Sequence, residues 1–141
     1  MTATTTTPTT RTPGTAVLAA TGAVLSAVVI LVGNYNVPAG ENGGLADGIT
    51  TAVLCAVVGG LLFGLVVPRL RGSERTVLVL GIVTVLSLAV FWSGVTPLLA
   101  AAALAVAGPV AAPRVSTTIV RWVVVAATVL VVVWTVANGH L

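Results

Sequence analysis

The chain has 141 residues, of which 57% are hydrophobic and only 6% charged, and its mean hydropathy is +1.17. A soluble domain carries about 25% charged residues, so this chain cannot cover a globular surface with polar groups and needs lipid as its solvent. Its net charge of +3 would hint at nucleic acid on a soluble protein; here the arginines fall where membrane topology puts them, and nucleic acid is not an expected partner.

In lipid, every backbone N–H and C=O must be paired within its own segment or around a closed barrel. The apolar stretches are continuous rather than alternating, which selects helices over a barrel. The expected fold is therefore an all-α integral membrane protein, a bundle of about five transmembrane helices with no separate soluble domain. The helical bundle is expected over residues 16–137.

Residues 1–15 are rich in Thr and Pro, carry Arg11 as their one charge, and read as a disordered cytoplasmic tail. Span 1 is expected over 16–32, capped by Thr12 or Thr15. The longest polar connection follows, from Asn34 to Asp47, with Pro38, several Gly and the acids Glu41 and Asp47. Two readings of span 1 stand. The small residues around Val37-Pro38-Ala39 suit signal-peptide cleavage, whereas the 17-residue apolar run and Pro38 itself favour a retained helix.

Span 2 is expected over 49–67. Asp47 serves as its N-cap and Pro68 marks its exit. The link Arg69–Arg75 is short and basic, and Ser73 can cap span 3, expected over 76–92. A very short link then makes spans 3 and 4 a tight antiparallel hairpin, with Thr96 as cap and Pro97 at the first helical position. Span 4, over 97–112, is Ala-rich and includes Pro109, which kinks or ends the helix; its low hydrophobicity per residue suggests packing against protein more than lipid. Span 5 is expected over 117–137, before a short external tail at 138–141.

Charge sorts the links. Arg11, Arg69, Arg71, Arg75, Arg114 and Arg121 all fall on one side of a five-span chain, while Glu41 and Asp47 fall on the other. The positive-inside rule then puts the N-terminus in the cytoplasm and the C-terminus outside, in the cell membrane. Tyr35, Trp92 and Trp134 fall near the outer interface and Trp122 near the inner one. All six basic residues are Arg, which together with the Ala, Val and Thr bias resembles the coding habit of high-GC bacteria.

Two features suggest contacts. Gly60 and Gly64 form a GxxxG in span 2, which clears one helix face for a close helix–helix approach. That face meets either a homo-oligomer or membrane-protein partner, or a neighbouring helix of the same chain; Gly22 with Ser26, and the alanines of span 4, are weaker versions. Arg69, Arg71, Arg75, Arg114 and Arg121 offer contacts to anionic lipid head groups, or simply anchor the topology. The segments Val66–Leu70 and Ala111–Val115 resemble each other, each with a Pro-Arg pair, so that spans 2–3 and 4–5 read as a degenerate hairpin repeat.

No catalytic, cofactor or metal constellation is present in the sequence. The lone Cys55 excludes an intramolecular disulfide and a multi-Cys metal site. The apolar cores contain no Asp, Glu, Lys or His, the groups that proton-coupled transporters and intramembrane enzymes use. The expected function is non-enzymatic, that of an accessory subunit or scaffold acting through helix contacts. The alternative is a small transporter or channel component built from two hairpin repeats.

Overall fold

The computed structural model describes residues 13–35, 44–110 and 113–138, and these residues are 91% helical with no strands. Residues 1–12, Glu41 and the remainder of 36–43, Ala111, Ala112 and residues 139–141 lie outside the described residues. So do the side chains of Tyr35 and Trp92, and with them part of the expected aromatic pattern.

Helix α1 is Pro13–Tyr35. It starts three residues before the expected span, so residues 13–15 are helical rather than part of the tail. Pro has no N–H to leave unpaired in a first turn, which suits a helix start. Helix α2 occupies residues 45–70, in three parts: an α-helix Leu45–Leu61, a π-helical turn Leu62–Val66 and an α-helical turn Val67–Leu70.

The expected cap and exit of this helix are both corrected. Its N-cap is Gly44, at a φ of 130° that only Gly adopts readily, and Asp47 sits in the first turn without a capping bond. Its far end runs through Pro68. Proline lacks a donor, and its ring would press on the carbonyl four residues back, that of Gly64. The π turn relieves this, with the Val67 N–H bonding to the Leu62 carbonyl.

Helix α3, Glu74–Leu86, is capped by Ser73, whose hydroxyl accepts from the Thr76 N–H at 3.4 Å. It continues as a 3₁₀ segment, Ser87–Ser93, with a break at Val90. Gly94, at φ 67°, turns the chain directly into α4, Val95–Ala107. Gly94 is thus the N-cap in place of Thr96, and Pro97 lies at the third helical position. Helix α4 stops at Ala107, five residues before the expected end of span 4. Gly108 and Pro109 follow, and Pro109 has no N–H to continue the ladder. Helix α5 is Val115–Asn138.

Successive helices run antiparallel, and α4 lies at the centre. Eleven of its thirteen residues are buried, and it packs against α1, α3 and α5. The alanines at 100–103 and 105 let the neighbouring backbones approach. Helix α5 turns Thr117, Val124, Ala127, Val131 and Thr135 inward, a stripe with the spacing of a packed helix face. Helix α2 lies at the edge, packed mainly on α1.

Three helices are long and apolar enough to cross a membrane: Gly14–Asn34, Ala46–Leu70 and Val115–Asn138. Their outward faces carry large apolar side chains such as Leu31, Leu54 and Leu130. The two proposed hairpins differ. Helix α2 carries Pro68 inside a 26-residue peripheral rod, whereas α4 is a 13-residue central helix and Pro113 lies outside any helix. The Pro-Arg likeness therefore does not extend to equivalent helices.

Candidate functional site

Three places in the fold gather features that carry chemistry or contact. The first is a polar seam where α3 breaks. The 3₁₀ segment and Gly94 interrupt the helical ladder, and side chains from other helices bond the carbonyls that this leaves. Ser26 on α1 donates to the Gly94 carbonyl at 2.6 Å, and Cys55 on α2 donates to the Ser93 carbonyl at 2.9 Å. Beneath them Ser87 and Thr96 share a buried hydrogen bond of 2.8 Å, while Ser87 also bonds the Thr84 carbonyl and Thr84 that of Leu80. The seam holds no base and no carboxylate, so its hydroxyls and thiol satisfy the backbone rather than perform a reaction.

The second place is the opposite end of the bundle, where Arg69, Arg71, Arg75, Arg114, Arg121 and Glu74 gather. Arg114 pairs with Glu74 at 3.1 Å, and its backbone N–H bonds the same carboxylate. Arg71 donates to the Thr15 hydroxyl at 3.1 Å, joining the link after α2 to the first turn of α1. The guanidinium of Arg121 reaches the carbonyl of Ala107, and the Gly72 N–H donates to the Val106 carbonyl at 2.9 Å. The C-terminal carbonyls of α4, which lack partners within the helix, are thus bonded from two neighbouring segments. Arg69 and Arg75 are exposed.

The third place is a cleft of about 370 Å³ between α1 and α2. Its walls are small residues: Ala19, Ala23 and Ala27 on α1, and Ala52, Ala56, Gly59 and Gly60 on α2. Ser26, Ile30, Cys55, Phe63 and Leu98 also line it. Along α2 the series Ala52, Ala56, Gly60, Gly64 repeats every four residues and is exposed throughout. A Cβ added at Gly60 or Gly64 would meet nothing within 4 Å, so among the described residues no other helix packs closely on these glycines.

No family model, no curated protein and no solved structure matches the chain.

Close intrachain contacts instead involve glycines that the sequence marks weakly or not at all. A Cβ on Gly22 would lie 2.8 Å from the Cβ of Ala101, and one on Gly81 would lie 2.5 Å from a methyl of Val120. Gly81 has no partner four residues away, which leaves no motif to find. Among the described residues, no three His, Cys, Asp or Glu side chains cluster as a metal site would require. Asp47 lies at the end of α2 remote from the arginines. Trp122 and Trp134 on α5 are both exposed, about 18 Å apart along the helix.

Proposed function

We propose that this chain is a five-span protein of the cell membrane that works without catalysis, as an accessory subunit or scaffold, by receiving a transmembrane helix of a partner in the cleft between α1 and α2. The observation that carries the reading is the exposed series Ala52–Ala56–Gly60, set across the cleft from Ala19, Ala23 and Ala27 of α1. Two facing rows of small residues let a third backbone approach closely, which in lipid is what drives helix association. A cleft with the same opening filled by Leu or Phe side chains would offer no such approach.

The five-span topology rests on α3 with its 3₁₀ extension, which covers residues 74–93, and on the central place of α4. At about 20 Å, α4 is shorter than a hydrocarbon core of ~30 Å, but its neighbours shield it from lipid along most of its length. The arginine-bearing end faces the cytoplasm in this topology, as the positive-inside rule requires. The transporter reading loses its main support with the inequality of the two hairpins.

The test replaces Cys55 by Ser and introduces Gly60→Cys or, on the outward face of α1, Val24→Cys. Thiol cross-linking is then carried out in native membranes. The reading expects Gly60→Cys to form a discrete cross-linked species, with itself or with one partner chain, and Val24→Cys to form none. Equal, weak cross-linking at both positions would place the cleft against bulk lipid and end the scaffold reading.

A further inference from the structure

A different face of α1 carries a second feature, and from it we infer that the protein holds an anionic phospholipid, with the phosphate at Arg71 and one acyl chain in a furrow between α1 and α5. Two cavities meet there. One, of about 360 Å³, opens at the charged end and is lined by Gly14, Thr15, Leu18, Arg71, Leu104 and Pro109, among others. The second, of about 250 Å³, continues into the bundle between α1 and α5, with Ala100, Ala101 and Pro97 of α4 at its base and Leu25, Val125 and Val129 on its walls. Leu18 and Leu104 line both, so the two adjoin, a polar mouth beside an apolar interior.

The shape and chemistry fit a phospholipid. The mouth holds a guanidinium fixed toward α1 by its bond to Thr15, and a guanidinium is suited to phosphate through its fork of donors. The same end of the bundle also carries Arg69 and Arg75, both exposed, and the Arg114–Glu74 pair. The furrow is almost wholly apolar. From Gly14 to Leu25 it follows α1 for roughly 16 Å, about half of a ~30 Å hydrocarbon core and hence the depth of one leaflet. A partner helix would need a groove through both leaflets, which this is not. The inference needs only the membrane setting and stands apart from the proposed scaffold role.

The experiment uses the purified full chain in mild detergent. It is titrated with phosphatidylglycerol or with phosphatidylcholine of the same acyl chains, and bound lipid is read by native mass spectrometry. One phosphatidylglycerol per chain should be retained in preference to phosphatidylcholine. Arg71→Gln should weaken its retention about fivefold, the effect of one Arg near the surface. Val129→Trp, on the exposed furrow wall, should weaken retention of both lipids, while Arg114→Gln should change little. Glycerol phosphate, a head group without tails, should not compete. Equal losses in Arg71→Gln and Arg114→Gln would mean diffuse attraction to the basic rim and overturn the inference. Competition by glycerol phosphate would reduce the site to a free phosphate site and also overturn it. A dimer in the spectrum that Val129→Trp abolishes would assign the furrow to a second copy of the chain instead.

Discussion

A methyl group on Gly22 would sit 2.8 Å from the Cβ of Ala101 and 3.2 Å from the carbonyl oxygen of Pro97, whereas one on Gly60 would meet nothing. The two glycines therefore separate packing inside the chain from packing outside it. Gly22→Leu should destabilise the monomer by about 1–3 kcal/mol, the usual cost of added bulk in a filled seam. Gly60→Leu should leave monomer stability within about 0.5 kcal/mol, as for a surface change. Melting in detergent measures both, and equal losses would show that α1 and α4 do not meet as described. The sequence marks both glycines as small-residue positions but does not rank them, because a period of four reports a cleared face and not what lies against it. The hydroxyls of Thr117 and Thr135 are buried without a hydrogen-bond partner. Thr117→Val keeps the shape and removes the unpaired group, so it should raise stability by about 1 kcal/mol or leave it unchanged. A loss above that size in the same assay would reveal a bond that this hydroxyl makes.

At the scale of the helix, capping chemistry was legible where it is local. Ser73 starts α3 as its sequence position suggests, because the bond to Thr76 depends only on residues three apart. Asp47 and Thr96 do not cap, for the opposite reason. Each is a good cap by type, but glycines just upstream, Gly44 and Gly94, let the chain turn earlier, and the helix then begins before the expected cap. Thr96 is drawn into a bond with Ser87 that no local rule foretells. Pro68 suggests an exit because proline usually ends a helix; the π turn that carries α2 past it has no sequence signature. In the polar seam, Thr96→Val and Ser87→Ala should each cost about 0.6 kcal/mol, the average for such bonds in a membrane. The double variant should cost less than the sum of the two, since both remove one shared bond. Additive losses in a double-mutant cycle would mean that Ser87 and Thr96 do not interact.

For the whole molecule, composition points to an apolar solvent, the continuity of the apolar stretches selects helices over a barrel, and Arg placement suggests which links share an end. Among the described residues, Arg71, Arg114 and Arg121 bond groups at one end of the bundle. What composition does not contain is the inner order of the bundle. The Ala-rich run suggests packing against protein but not which helices surround it; that α1, α3 and α5 do so follows from three-dimensional fit, the smallest side chains occupying the most crowded place. The Arg114–Glu74 pair lies at the exposed rim, with the Arg114 side chain 81% accessible. Glu74→Gln should therefore change stability by less than about 1 kcal/mol, despite the visible ion pair. A larger loss would mean that the pair clamps the α3 and α5 starts together.

The central claim is a five-span bundle with its arginine end in the cytoplasm. The most direct test fuses an enzyme active only outside the cytoplasm after Gly72 in one protein and after Leu141 in another. A bundle of this topology gives no activity at Gly72 and full activity at Leu141, with equal expression of the two fusions. Activity at Gly72, or silence at Leu141, would contradict it.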